Sequence, residues 1–257
     1  MGVSTKGVFH YTKDLGSLIN ILTIGFYPSY CKEIMIYGGE RYSYAIPMVS
    51  FCDIPLSEIQ YHTKKYGSFA IGLTRDWAKR NKLNPVLYIE KDSNLASGIK
   101  NMIDFMFLNW HEMLDDKDFD DFYKNVYKGG LNVIYSSKNY EGRLIRDEID
   151  KDFNFYEERE WRYIPQISGD HINKYPDMFW EEDFADLNKR FTSKPHFKHH
   201  GTKIKAKDIK YIIIPDKSFL QRLINELKNI KNLFEDETEF IYLITNILTL
   251  DKIIEDI

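Results

Sequence analysis

FNFYEEREWRYIP, spanning Phe153–Pro165, places aromatic and apolar side chains among alternating charges and ends at a proline. This pattern predicts a short, half-buried β-strand. Because successive side chains of a strand point to opposite faces, we expect Glu158, Glu160 and Arg162 to share one face. That face is either a solvated ladder of ion pairs or the carboxylate-bearing wall of a chemical site. The stretch alone leaves both interpretations open.

The composition indicates one large folded unit. The chain has 257 residues, of which 43% are hydrophobic and 29% are charged, so it can bury a sizeable core. A net charge of -4 argues against a surface devoted wholly to nucleic acid, although local basic patches stay open. Cys31 and Cys52 are too few for a disulfide framework, and no secretory signal is recognised, so we expect a cytoplasmic protein. No apolar run reaches the roughly 18 residues that cross a bilayer, so we expect no membrane association.

The order of the predicted elements favours an α+β fold. A strand at Gly7–Thr12 precedes a helix that begins after the N-cap residue Asp14 and ends at Gly25. The other predicted elements are strands at Ala45–Ile54 (beginning after Pro47), Gly67–Leu73, Asn84–Ile89, Val133–Ser136 and Tyr211–Pro215, and helices at Pro55–His62 and after Thr74.

Two helical regions are predicted outside this strand-rich core. Apolar residues at helical spacing indicate a helical insertion at about Ser93–Tyr127, which Gly129 and Gly130 are expected to end. Amphipathic helices follow at residues 216–257. We therefore expect one domain over residues 1–215 and a helical C-terminal tail.

A basic segment spans Lys189–Lys210 and includes His196, His199 and His200. It is either a solvated loop or a contact surface for nucleic acid or an acidic partner. Its lysines repel a cation, so we expect no metal at the three histidines. Cys52 lies in an apolar strand, where a cysteine is usually packing rather than a nucleophile.

The segment His10-Tyr11-Thr12, followed by a helix and Gly25-Phe26, resembles the opening of ADP-ribosyltransferase folds. The resemblance implies that His10 and Thr12 hold the nicotinamide ribose and amide of NAD. It places Ser50 and Phe51 on a strand that flanks the nicotinamide, and the catalytic carboxylate within Glu157–Glu160. The aromatic ring that stacks on nicotinamide would be Phe51, Tyr61 or Tyr66.

A broader resemblance covers roughly Phe9 to Pro215, with gaps. The chain resembles the AbiGi family of abortive-infection phage-resistance proteins. This family is described as the antitoxin-like partner in a two-gene defence system, which implies a protein partner such as a toxin or defence effector. The resemblance rests on FHYTKDLGSLINILTIGFYPSYC (Phe9–Cys31), AIPMVSFCDIPLSEI (Ala45–Ile59), KYGSFAIGLTRDWA (Lys65–Ala78), NPVLYI (Asn84–Ile89), EEREWRYIP (Glu157–Pro165) and IKYIIIP (Ile209–Pro215).

The chemistry implied by these resemblances depends on a carboxylate. Cleavage of the nicotinamide glycosidic bond of NAD passes through an oxocarbenium-like transition state, which Glu160, assisted by Glu158, would stabilise. Arg75 and Arg162 would pair with the NAD diphosphate, since a guanidinium matches phosphate in a bidentate manner. Tyr66 is a further candidate for NAD binding. The chain has no glycine-rich phosphate loop.

These observations predict an ADP-ribosyltransferase-like split sheet, mixed or antiparallel, with NAD as substrate and no metal. The predicted function is ADP-ribosyl transfer or NAD glycohydrolysis in phage defence. The alternative is a non-catalytic antitoxin or binding scaffold that restrains a partner toxin. The transferase interpretation requires His10, Phe51 and Glu158 or Glu160 to line one cleft. On an exposed strand, Glu160→Gln would cost little stability.

Overall fold

The computed structural model describes residues 5–108, 121–146, 149–167, 178–190 and 200–256. Its helices are α1 Leu15–Ile24, α2 Ile59–Tyr66, α3 Arg75–Arg80, α4 Asn94–Leu108, α5 Asp121–Tyr135, α6 Phe184–Arg190, α7 Leu220–Asn229, α8 Glu237–Thr245 and α9 Leu250–Glu255. Its strands are β1 Gly7–Thr12, β2 Ser29–Tyr37, β3 Glu40–Cys52, β4 Phe69–Thr74, β5 Asn84–Pro85, β6 Leu87–Ile89, β7 Ser137–Asn139, β8 Glu141–Arg146, β9 Ile149–Asn154, β10 Glu160–Tyr163, β11 Phe179–Trp180, β12 Ile209–Ile214 and β13 Ile247–Thr249. None of the helices in these ranges is both long and apolar enough to span a membrane.

One mixed sheet, the central sheet, organises the described chain. Its strands follow the order β13-β12-β4-β1-β3-β10-β5, and β2 and β11 also pair with β3. Only β12 and β13 run parallel among these pairs; the other neighbours are antiparallel. The predicted α+β class and mixed sheet are therefore confirmed. Helices α1, α3, α7 and α8 contribute to one apolar core against this sheet, while α4 and α5 pack with β2 and β3.

The first strand and helix form where the sequence predicts them. The Asp14 side chain accepts a hydrogen bond from the Ser17 backbone N–H and caps α1. Gly25 ends the helix at φ 88°, and a Cβ there would lie 2.0 Å from the Thr202 carbonyl oxygen. Both the positive φ of residue 25 and the close approach of the Thr202 backbone therefore require glycine at this position.

The hairpin of β2 and β3 corrects two expectations. Sequence patterning did not predict β2, and β3 does not begin after Pro47 but runs through it. Gly38 and Gly39, both at positive φ, form a two-residue turn that pairs Tyr37 with Glu40. Hydrogen-bonded and non-hydrogen-bonded pairs alternate from Tyr37–Glu40, which makes Tyr30–Pro47 a non-hydrogen-bonded pair. The missing N–H of Pro47 therefore removes no hydrogen bond between β2 and β3.

The helical insertion is longer than predicted. Its described helices, α4 and α5, extend to Tyr135, and Gly129 and Gly130 lie within α5 instead of ending it. Gly130 is a contact point between the helices, because a Cβ there would lie 2.7 Å from the Met106 sulfur. The strand predicted at Val133–Ser136 is therefore mostly helix, and β7 begins only at Ser137.

Two further predicted elements are subdivided. Asn84–Ile89 is not one strand but β5, which pairs with β10, and β6, which pairs with β7 in a separate two-stranded sheet. The C-terminal tail is not purely helical, because β13 joins the central sheet beside β12. Leu223, Leu227 and Leu243 of the tail are buried in the core. The tail is thus packed into the fold.

The stretch from Phe153 to Pro165 is also more complex than a single strand. It contains the end of β9, a 3-10 turn at Phe155–Glu158, and then β10. Arg159 separates turn from strand in the left-handed conformation, with φ 43°. Glu158 and Glu160 therefore belong to different elements, and their common direction comes from this turn and not from strand alternation.

Candidate functional site

A cleft of about 520 Å³ is formed by β1, β2, β3, β7, β8 and β10 together with α2 and the turn before β10. Six of the nine site residues predicted from the sequence line it: His10, Ser50, Phe51, Tyr66, Glu158 and Glu160. The residues that the transferase interpretation requires all line this cleft, but Phe51 is directly opposite Trp161 and therefore projects from the other face of the sheet to Glu160. Their roles remain predictions. β1, β3 and β10 are neighbours in the central sheet, which explains how distant parts of the sequence meet here.

Glu160 is a buried carboxylate, only 5% exposed. Its Oε1 accepts hydrogen bonds from Ser50 Oγ at 2.6 Å and Arg162 Nε at 2.9 Å, and its Oε2 accepts one from Lys138 Nζ at 3.0 Å. Burial raises the pKa of Glu160, but the charges of Arg162 and Lys138 and these hydrogen bonds outweigh it and hold the pKa well below its usual range. The carboxylate is therefore ionised, and the solvated-ladder interpretation is wrong.

Glu158 lies on the same wall of the cleft. Its Oε1 accepts hydrogen bonds from Lys65 Nζ at 2.5 Å and from the Tyr66 hydroxyl, and its Oε2 accepts one from Lys138 Nζ at 2.8 Å. Burial raises its pKa, but the charges of Lys138 and Lys65 more than offset that and lower it. Glu158 is thus also ionised and held in place by three donors.

Lys138 connects the two carboxylates and was not predicted from the sequence. It extends from β7, and burial lowers its pKa, but Glu160, Glu33 and Glu158 raise it well above its usual range. Its local sequence, Ser-Ser-Lys-Asn, contains no motif. The pairing of β7 with β6 and the hydrogen bonds between Asn139 and Ile36 of β2 place this lysine at the cleft.

Arg162 is not available for the NAD diphosphate, contrary to the sequence-based expectation. It is 1% exposed, and its guanidinium donates to Glu160, to Glu33 Oε1 at 3.0 Å and to the backbone carbonyl of Tyr135 at 2.8 Å. A further contact reaches the Ser137 carbonyl at 3.3 Å. Its role is to hold Glu160 and join surrounding elements.

Arg75 and Thr12 also lie outside the cleft lining. Arg75 Nη2 donates to Asp53 Oδ2 at 2.8 Å, and its guanidinium lies over the Trp161 ring at 4.3 Å. Trp161 projects from the opposite face of β10 to Glu160, since the two are consecutive in a strand. The Thr12 hydroxyl donates to the Asp14 carbonyl at 3.2 Å. The structure therefore does not bring these two residues to Glu160.

His10, Phe51 and Tyr66 are the predicted aromatic and imidazole residues that line the cleft. His10 Nδ1 lies 2.8 Å from the Ser50 carbonyl oxygen, which can only accept, so this nitrogen carries the hydrogen. Phe51 is 3% exposed and packs against Phe26 and Trp77, whereas the Tyr66 ring stacks on His62. Tyr61, the third aromatic candidate, is 76% exposed and does not line the cleft.

His62 and Cys52 also line the cleft. Burial lowers the pKa of His62 to about 4, so the imidazole is neutral near pH 7, and this residue was not predicted from the sequence. Burial raises the pKa of the Cys52 thiol well above its usual range, which keeps it protonated. The cysteine is thus packing, in agreement with its apolar strand.

The basic segment lies partly outside the described residues, which omit 191–199 and therefore His196 and His199. Within the described part, Lys205 Nζ donates to the Asn232 carbonyl at 3.0 Å and Lys207 pairs with Glu235 at 3.3 Å. Both lysines contact the loop between α7 and α8. A nucleic-acid contact remains a prediction. Among the described residues, no cluster of histidine, cysteine, aspartate and glutamate is suited to a metal ion.

Comparison with known proteins gives two matches of the same kind. A family model described as "Putative abortive phage resistance protein AbiGi, antitoxin" matches residues 25–215. The "Abortive phage resistance protein AbiGi" of Lactococcus lactis subsp. cremoris is 26% identical over 223 residues, covering 82% of this chain and 88% of that protein. No solved structure matches the chain.

Proposed function

Because the chain belongs to the AbiGi family of abortive phage resistance proteins, we propose that it acts in phage defence by cleaving NAD in the cleft around Glu160. The proposed activity is ADP-ribosyl transfer to an acceptor or, with water as acceptor, NAD glycohydrolysis. The proposed core is ADP-ribosyltransferase-like. One observation carries the proposal: Glu160 is a buried, ionised carboxylate in a cleft that also contains His10 and Ser50.

The positions of His10, Ser50 and Glu160 on neighbouring strands support the roles that the resemblance implies for them. His10 lies on β1, Ser50 on β3 and Glu160 on β10, and these three strands are adjacent. The His10 ring and the Ser50 backbone are joined at 2.8 Å, and the Ser50 hydroxyl is joined to Glu160 at 2.6 Å. A continuous chain of contacts thus links the three strands.

The proposed reaction uses Glu160 as an electrostatic catalyst. When the bond between ribose C1′ and the nicotinamide nitrogen breaks, the electron pair leaves with nicotinamide and positive charge develops on the ribose. An ionised carboxylate fixed beside that charge stabilises the transition state more than the ground state. A nucleophile then attacks C1′ and loses its proton. The lowered pKa of Glu160 suits this role better than that of a general acid.

A second function is favoured by separate observations. The family model carries the word antitoxin, and the carboxylates of the cleft are neutralised by Lys65, Lys138 and Arg162. Neutralised carboxylates stabilise a cation less than isolated ones do. In this alternative the cleft is a structural or partner-binding feature, and the protein restrains a partner toxin without chemistry.

NAD binding and turnover by the purified chain separate the two functions. We expect the wild-type protein to bind NAD in calorimetric titration and to release nicotinamide, measured by chromatography. His10→Leu should lose turnover with only a small decrease in melting temperature, because it removes the hydrogen bond to the Ser50 carbonyl but none of the charged partners of Glu160. A folded wild-type chain that neither binds nor consumes NAD would support the scaffold function instead.

A further inference from the structure

Among the described residues, the outer edge of β2 is open beside the cleft. Its inner edge pairs with β3 from Ser29 to Tyr37, and no strand of the described chain pairs with the other edge. The two-residue turn after Tyr37 makes Tyr37 and Glu40 a hydrogen-bonded pair. Ladder bonds to β3 therefore recur at every second residue before Tyr37. The backbone N–H and C=O groups of Lys32 and Ile34 consequently point away from β3.

Asn139 shows that this edge accepts a ladder partner. The Ile36 N–H donates to Asn139 Oδ1 at 2.8 Å, and Asn139 Nδ2 donates to the Ile36 carbonyl at 2.8 Å. The side-chain amide thus takes the place of a neighbouring strand at Ile36, which has the same outward direction as Lys32 and Ile34. Asn139 also lines the cleft, so the covered position at Ile36 lies directly beside Ile34 and Lys32.

The open part of the edge belongs to the cleft itself. Lys32 and Ile34 line the same cleft as Glu158 and Glu160. The Ile34 side chain is 52% exposed, which is high for a large apolar residue in a strand. Outward backbone groups and an exposed apolar side chain here form a surface whose polar groups repeat every two residues.

We propose that the edge at Lys32 and Ile34 binds an extended segment of a partner protein as an added β-strand. Donors and acceptors alternating at strand spacing match a polypeptide backbone, whereas a nucleotide has no such repeat. Alternate side chains of the bound segment would enter the cleft towards Glu158 and Glu160. This inference deepens the partner-binding function proposed above, and it does not depend on NAD turnover.

The test uses peptides selected for binding to the wild-type chain from a random 12-residue display library, measured by fluorescence anisotropy without NAD. Ile34→Pro removes the outward N–H and leaves the bonds between β2 and β3 intact, since proline is tolerated on a strand edge. We expect Ile34→Pro to weaken binding about tenfold, the effect of roughly one lost hydrogen bond. Ile34→Ala keeps the N–H and reports the side-chain contribution, and melting temperatures confirm that both variants fold.

A scan of the selected peptide gives a readout that does not rely on a protein variant. Methylation of single backbone nitrogens should weaken binding at every second position only, because alternate amides of an added strand face away from β2. Equal sensitivity at all positions, undiminished binding to Ile34→Pro, or failure to select any peptide would overturn the proposal. The proposal would also be overturned if the wild-type chain formed a dimer that Ile34→Pro dissociates, because the added strand would then come from a second copy of this chain. NAD turnover is measured separately, so failure of either proposal is distinguishable.

Discussion

Replacing Glu160 with glutamine tests both the stability and the chemistry of the cleft. The substitution removes the negative charge between Arg162 and Lys138, and Arg162 is only 1% exposed. Glu33 is then the one carboxylate left on that guanidinium among the described residues. Breaking a buried ion pair by removing one partner costs about 3–5 kcal/mol. Because Glu160 is buried and not on an exposed strand, we expect a larger loss of stability than the sequence suggested.

The expected loss still leaves a measurable protein. Domains typically have a free energy of unfolding of about 5–15 kcal/mol, so a reduction of about 3–5 kcal/mol leaves most molecules folded in all but the least stable case. Urea unfolding of wild type and variant measures the loss directly. NAD turnover is then divided by the folded fraction, and the corrected rate of Glu160→Gln should fall by on the order of 10²-fold or more.

Glu33→Gln is the matched control. It removes the other carboxylate from Arg162, which contacts Glu33 Oε1 at 3.0 Å, but leaves Glu160 charged. We expect a smaller stability loss, since Glu160 keeps its contacts to the same guanidinium, and a corrected turnover close to that of wild type. The reasoning is refuted if Glu160→Gln unfolds at the wild-type urea concentration. Equal corrected turnover losses in the two variants would make Glu160 a structural residue only.

Three further outcomes follow from the same contacts. The pKa values of Glu158 and Glu160 are lowered from 4.5 on folding, so the stability they contribute is present above that pH and lost as the pH falls below it; a urea midpoint unchanged on acidification would contradict this. Lys138→Met leaves two carboxylates without their shared cation and should cost about 3–5 kcal/mol at neutral pH, with partial recovery in acid, measured by urea unfolding. A chain ending at Thr245 lacks β13 and exposes the edge of β12, so it should aggregate in light-scattering assays, whereas a chain ending at Thr249 should stay soluble.

The sequence predicts those parts of the molecule that depend on neighbouring residues. Asp14 and Gly25 bound α1 as expected, because caps are local contacts. By contrast, β2 was not recognised, since Lys32 and Glu33 interrupt its apolar alternation. Arginine does not favour the left-handed conformation that Arg159 adopts, so the break before β10 was not predicted either.

Some features of the candidate site could be predicted from the sequence, and others depend on tertiary contacts. Residue type and the implied strand order predict that His10, Phe51 and Glu160 share a cleft. Arg162 was expected on the same face as Glu160, but the contacts to Ser50 and Lys138 were not predicted. Ser50 lies 110 residues away, and Lys138 lies on β7, which follows the helical insertion. Nor does a single arginine in a charged stretch reveal that Arg162 is fully buried. Which charges neutralise each other depends on tertiary distances that no local pattern encodes.

The contacts of Arg162 also determine when this protein can finish folding. Its guanidinium needs Glu33 from β2, the Tyr135 carbonyl from the end of α5 and Glu160 from its own strand. These groups are separated by up to 129 positions in the chain, so closing the loops between them is slow. Until all have assembled, a desolvated guanidinium lacks partners, which penalises any intermediate in which α5 is undocked. Docking of the helical insertion and closure of the sheet at β10 should therefore occur in one cooperative, late step.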